Sequence, residues 1–263
     1  MIDANLVDFI ARSSGVAEGD LVVEIGPGLG ILTEKLLDLG AEVLAVELDK
    51  RVFDYLKRKI DRKGFRLVQG DACRINLQEL VDGRGWKCVA NLPYSISTPF
   101  AASLAESPSP PLSALLLLQK ETAERFAAKP KTKEYGAVSA MLQMVFEVSI
   151  VRKVSPKVFH PVPKVDSALA RFELKEKRPS PEALSEISKL LRAAFSQRRK
   201  KMVKALSAKY GPRAAAAMDA VGVDPNARAE ELTPEQFLLL ADSLGVSGTG
   251  GDNGTARQQG DSQ

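Results

Sequence analysis

"LVVEIGPGLGILTEKLLDLGAEVLAVELD", residues 21–49, reads as strand, glycine turn, helix and strand in turn. LVVEIG (21–26) and EVLAVELD (42–49) are short, nearly continuous apolar runs, the pattern of strands buried on both faces of a parallel sheet. Between them Ile31, Leu32, Lys35, Leu36 and Leu39 recur at helical spacing, and Gly40 stops the run. Working outward, RLVQGD (66–71), KCVANLPY (87–94) and ALLLLQK (114–120) repeat the strand pattern between helical stretches. The expectation is an α/β fold: a doubly wound, Rossmann-like sheet, mostly parallel and covered by helices. After residue 137 come a helix (AVSAMLQMVF), a run (VSIVRKV) and an alternating segment, VDSALARFEL, that suits an antiparallel strand closing the sheet.

At KEKRPSPEA the composition shifts. Ser180 and Pro181 supply an N-cap and first helical residue, and only helices follow, over 181–195, 198–209, 212–221 and 234–244. The last opens on the capping box Thr233-Pro234-Glu235-Gln236. Three parts are therefore expected: the sheet domain over 1–176, a small C-terminal all-helical domain over 177–245, and a Gly/Ser/Gln/Asp-rich disordered tail over 246–263.

The whole chain has 263 residues, 44% hydrophobic, with 37 Lys and Arg against 33 Asp and Glu. That gives a net charge of +4, a mild basicity whose meaning depends on where the cations cluster. Two cysteines, Cys73 and Cys88, form no CxxC pair, and one histidine, His160, leaves a metal centre or a Ser/His/Asp triad almost no material. No apolar run approaches the ~20 residues of a membrane span, and the N-terminus lacks the pattern of a signal peptide. Reduced thiols and a cytoplasmic location are expected. His160 and the cysteines receive no role.

Chemistry begins at EIGPGLG. Gly26, Gly28 and Gly30 let the backbone approach a ligand, and Glu47 ends the next strand about 20 residues on, placed to meet ribose hydroxyls. The spacing is G-x-G-x-G without the third glycine of a dinucleotide loop, which favours S-adenosylmethionine over a nicotinamide cofactor. Asp71, beside Ala72 at the end of the third strand, can accept from an adenine amino group. Asn91 ends the fourth. Ligands of doubly wound sheets lie beyond the carboxyl ends of the strands, so these positions converge on one crevice. In NLPY the Asn91 side-chain oxygen and the carbonyl of Leu92 or Pro93 can accept from an exocyclic amino group held beside a methyl sulfonium. Tyr94 can stack on an extruded base. In SQRRKKMVK, the cations Arg198, Arg199, Lys200 and Lys201 stand at the expected start of a helix, where they can hold phosphates.

Together EIGPGLG, NLPYSIST, FHPVPKVDSAL, FSQRRKKMVKAL and DPNARAEELTPEQF resemble the rRNA adenine N6,N6-dimethyltransferase family, in its bacterial kasugamycin-sensitivity branch. The resemblance runs from residue 2 to about 244, and the FxPxPKVDSA segment is its most specific part. It implies a methyltransferase that dimethylates two adjacent adenines in a 3′-terminal hairpin of small-subunit rRNA, within an immature 30S particle, as a monomer. It places Gly26, Glu47, Asp71 and Asn91 at cofactor-contacting positions, and Asn91, Tyr94 and Phe159 in the target pocket. Members of that family carry a Gly-Gln-Asn/His-Phe-Leu run just before the position matched by MIDANLV, and such a leader is expected to tighten cofactor binding. A macrolide-resistance methyltransferase acting on large-subunit rRNA, which usually carries NIPY, and a nonenzymatic assembly or transcription factor of the same fold are the alternatives.

Overall fold

The computed structural model describes residues 3–160, 162–197 and 200–246. In chain order its elements are α1 (Ala4–Ser13), β1 (Leu21–Ile25), α2 (Ile31–Asp38), β2 (Glu42–Glu47), α3 (Lys50–Lys59), β3 (Phe65–Gln69), α4 (Leu77–Val81), β4 (Trp86–Asn91), α5 (Ser97–Glu106), β5 (Ser113–Gln119), α6 (Lys120–Phe126), α7 (Ala137–Val145), β6 (Phe146–Val154) and β7 (Ser167–Leu174). The helices α8 (Pro181–Phe195), α9 (Met202–Tyr210), α10 (Arg213–Ala220) and α11 (Pro234–Ser243) follow.

The strands form one sheet in the order β3-β2-β1-β4-β5-β7-β6. The first five are parallel, and β7 lies antiparallel between β5 and β6. The order reverses at β1, so the crevice between the ends of β1 and β4 is the switch point where such sheets bind ligands. Alternate side chains explain why the strands read as unbroken apolar runs. Val23, Ile25, Cys88, Ala90 and Leu116 enter one core, while Val22, Val89, Leu115 and Leu117 enter another with α1 and α2.

The segment at the N-terminus, read from sequence only for its lack of a signal peptide, forms α1. Asp3 caps it by accepting from the Leu6 N–H at 2.8 Å, and Leu6, Val7, Ile10 and Ala11 bury one face. In the helical part, Ser180 caps α8 and Thr233 and Gln236 close a capping box on α11, as their sequence signals imply. The helix expected over 198–209 instead begins at Met202. Lys201, with φ −56° and ψ 133°, is outside it, and Lys200 sits in a turn whose N–H donates to the Gln197 carbonyl at 2.8 Å. The helical part shares the sheet's core: Leu190, Phe237 and Leu240 belong to the same apolar cluster as Trp86 and Phe100.

Candidate active site

Backbone contacts stitch the carboxyl ends of four strands together. The Gly70 N–H donates to the Glu47 carbonyl at 3.0 Å, joining the ends of β3 and β2, and the Gly26 N–H donates to the Val46 carbonyl at 3.0 Å, joining β2 to the glycine loop. On its other side Gly26 abuts the NLPY turn. A Cβ on Gly26 would lie 3.8 Å from Pro93 Cδ and 3.9 Å from the Asn91 carbonyl oxygen. Gly26, Gly28 and Gly30 have φ of +65°, +60° and +77°, a region that favours glycine. Gly28 faces open space, whereas a Cβ on Gly30 would press within 2.8 Å of Leu56 and Ile60. The loop therefore exposes backbone outward and packs tightly on α3 beneath.

Glu47 is 9% exposed. Its Oε1 accepts from the Asp49 N–H at 2.9 Å, and among the described residues no donor meets Oε2. Asp71 holds Oδ1 against the Cys73 N–H at 2.9 Å, with Oδ2 3.5 Å from Arg74 Nε. Ala72 is buried, so a ligand can meet only its backbone. Leu29 and Leu48, 61% and 67% exposed at the tips of the glycine loop and β2, supply apolar surface beside these acceptors. A buried carboxylate with one oxygen free, an open glycine backbone and exposed leucines fit the ribose, the methionine chain and the purine of S-adenosylmethionine. These two leucines were absent from the sequence-derived site, since an apolar residue after a strand carries no signal of exposure.

Asn91 is the last residue of β4, half-buried, opposite Leu117 of β5. Asn91 to Tyr94, with Phe159, His160 and Pro163, line an open recess of about 310 Å³. The Leu92 side chain is in the core, so only its backbone can act there. The Pro93 carbonyl already accepts from the Ile96 N–H at 3.1 Å and the Ser97 hydroxyl at 3.4 Å. Of the two carbonyls left open by the sequence, Leu92 is the one with no donor among the described residues. The Tyr94 hydroxyl lies 2.9 Å from Ser167 Oγ, which fixes the ring. Phe159 lines the recess and also packs into the α1–α2 core. His160, given no role from sequence, stands on the recess wall; its place beside Phe159 was the available signal.

Under the glycine loop, Glu24 is 2% exposed and accepts from the Thr33 hydroxyl at 2.6 Å. Burial pushes its carboxyl up to about 8, and the Thr33 bond offsets only part of that. It braces β1 against α2. Burial also raises both thiols, Cys88 most, which suits their lack of a role. Lys200 and Lys201 are exposed, and Lys201 Nζ donates to Asn226 Oδ1 at 2.5 Å. Arg198 and Arg199 lie outside the described residues, as does the tail after residue 246. Among the described residues no group of His, Cys, Asp and Glu is arranged to hold a metal, and no helix is long and apolar enough to cross a membrane.

The family model of ribosomal RNA adenine dimethylases matches residues 1–245. A protein of Phenylobacterium zucineum named ribosomal RNA small subunit methyltransferase A is 40% identical over 244 residues, covering 92% of this chain and 85% of that one. One of the same name from Pseudomonas putida is 40% identical over 245 residues, covering 92% and 91%. Among solved structures, the 23S rRNA methyltransferase ErmE is similar with a TM-score of 0.69 and 28% identity, over 92% of this chain and 98% of that one. A Plasmodium falciparum dimethyladenosine transferase shares the fold with a TM-score of 0.78 at 24% identity, over 93% and 98%.

Proposed function

This chain belongs to the ribosomal RNA adenine dimethylase family, and from that premise we propose that it dimethylates the N6 amino groups of two adjacent adenines in a 3′-terminal hairpin of small-subunit rRNA. The observation that carries the reading is the close approach of Gly26 to the Asn91 backbone carbonyl and the Pro93 ring, which sets the cofactor loop beside the NLPY turn. S-adenosylmethionine supplies an electrophilic methyl on a sulfonium. Glu47 Oε2 and Asp71 bind its ribose and adenine, with Leu48 against the purine and the open backbone at Gly28 beside the methionine chain.

Asn91 Oδ1 and the Leu92 carbonyl accept the two N–H groups of the target amine. In free adenine the N6 lone pair is delocalised into the ring; two acceptors out of the ring plane favour a pyramidal nitrogen whose lone pair points at the methyl. As the N–C bond forms the C–S bond breaks, sulfur keeps the pair as a thioether, and N6 sheds a proton to water. No side-chain base has to act first. Tyr94, held by Ser167, and Phe159 clamp the base, extruded because its amino group is unreachable in a stack. Lys200 and Lys201, with Arg198 and Arg199, hold backbone phosphates.

Small-subunit rRNA is preferred over the large-subunit substrate because the relatives near 40% identity carry small-subunit names, while the large-subunit enzyme is similar at 28%. The Asn91 and Glu47 acceptors argue against a nonenzymatic assembly factor. We place the protein in the cytoplasm, acting as a monomer on immature 30S particles. The test is tritiated methyl transfer to such particles followed by nucleoside analysis. With immature 50S particles offered alongside, label in N6,N6-dimethyladenosine of the small-subunit RNA is expected; label confined to the large-subunit RNA would refute the reading.

A further inference from the structure

The recess at Asn91 has a neighbour. Beyond the carboxyl end of β5, Gln119, Lys120, the exposed carboxylate Glu121, Pro156 and Lys164 to Asp166 surround a second open recess of about 290 Å³, nearly the volume of the first. A single loop walls both: Phe159, His160 and Pro163 face the first, and Pro156 with Lys164 to Asp166 faces the second. The two recesses stand over the ends of neighbouring strands, β4 and β5. Asn91 lies opposite Leu117, two residues before Gln119, and Gln119 lies opposite the Ser167 that holds Tyr94. The Lys120 N–H donates to the Asp166 carbonyl at 2.9 Å, tying the loop's end to β5. Neighbouring strands are about 4.8 Å apart, so one to two strand spacings separate the recesses, roughly 5–10 Å. A stacked nucleotide advances about 3.4 Å along one strand and an unstacked one further, so consecutive nucleotides span that gap.

We propose that the second recess seats the nucleotide adjoining the target adenine, with Phe159, His160 and Pro163 against one base and Pro156 and Lys164 to Asp166 against the other. The inference rests on the RNA-methylating reading of the first recess. The chemistry of the lining suits a nucleotide. Lys164, exposed, and Lys120, held only loosely by Glu124 at 4.0 Å, present ammonium groups to a phosphate. The Gln119 amide offers both a donor and an acceptor to a base edge, and Asp166 accepts from an exocyclic amino group, which adenine has and uracil lacks. Val165, 44% exposed, gives an apolar face to the ring. Because an RNA strand is directional, the recess takes the neighbour on one side of the target, so it holds an adenine during one of the two methylations and the flanking nucleotide during the other.

The test uses immature small-subunit particles reconstituted with three RNAs: both adenines present, one adenine replaced by uridine, and one replaced by an abasic residue. Methyl transfer to the remaining adenine is measured for the wild type and for the double variant Gln119→Ala/Lys164→Ala. The wild type is expected to lose about tenfold in apparent RNA affinity on the abasic substrate, in the range of one lost hydrogen bond to a charged or polar partner, with uridine intermediate and the maximal rate little changed. The double variant is expected to lose about as much on the two-adenine RNA and nothing more on the abasic one, with S-adenosylmethionine affinity unchanged as proof of folding. A wild type indifferent to the neighbour, or a variant as sensitive to it as the wild type, would overturn the second recess while leaving the methyltransferase reading intact. No transfer to any of the three RNAs would overturn both.

Discussion

Replacing Glu47 by Gln isolates the ribose contact from the fold around it. In the native carboxylate Oε1 is occupied by the Asp49 N–H at 2.9 Å, and Gln keeps a carbonyl oxygen for that bond. What changes is Oε2, which becomes an NH₂ donor and carries no charge. A hydrogen bond to a charged group contributes about 1.5–3 kcal/mol. S-adenosylmethionine should bind about 10- to 150-fold more weakly. Titration calorimetry with S-adenosylhomocysteine measures it without turnover, and thermal unfolding of the ligand-free protein should move little. Glu47→Ala should show the same affinity loss plus about 0.5–1.5 kcal/mol of stability from the stranded Asp49 N–H. Unchanged affinity in Glu47→Gln would remove Oε2 from the site; equal losses of affinity and ligand-free stability would make Glu47 a structural residue.

Two other perturbations follow from the same geometry. Glu24 is held protonated to about pH 8, whereas the unfolded chain releases that proton near 4.5, so the folded state binds more protons between those values and this group's contribution to stability falls as pH rises. The loss accumulates at about 1.4 kcal/mol per pH unit, to roughly 4–5 kcal/mol by pH 8; in urea unfolding Glu24→Gln should gain on the wild type between pH 5 and 8.5, and parallel stability curves would refute the burial argument. Changing Arg198, Arg199, Lys200 and Lys201 to Gln should flatten the slope of log RNA affinity against log salt by up to about 0.9 for each phosphate that is no longer neutralised, by analogy with B-DNA. S-adenosylmethionine affinity should stay fixed, and an unaltered salt slope would return these cations to ordinary surface.

The sheet was legible because its central strands are buried on both faces and read as apolar blocks, so β1, β2, β4 and β5 could be found within two or three residues of their ends. The glycine loop and NLPY were legible because glycine and proline at a strand end restrict the backbone in ways few other residues can. α1 carried a signal that was left unused: Leu6, Val7, Ile10 and Ala11 recur at helical spacing behind the Asp3 cap and bury in the same core as α2. The start of α9 was misplaced because helix propensity favours Arg and Lys, and no capping side chain marks the true start at Lys201. Leu92 and Pro93 could not be separated from sequence, since which carbonyl is free depends on Ile96 and Ser97 folding back onto the turn. His160 escaped because a lone histidine has no periodic partner, and only the loop's path brings it to the recess.

The central claim is that two acceptors at the end of β4 orient an adenine amine toward a methyl group held by the glycine loop. Its most direct test is single-turnover methyl transfer to immature small-subunit particles by wild type and Asn91→Ala, with RNA and S-adenosylmethionine both saturating. Removing one oriented acceptor should slow the chemical step by about 10²-fold or more while both binding constants stay within a fewfold of wild type. A chemical step unchanged in Asn91→Ala, or one lowered only in proportion to weakened RNA binding, would contradict the account.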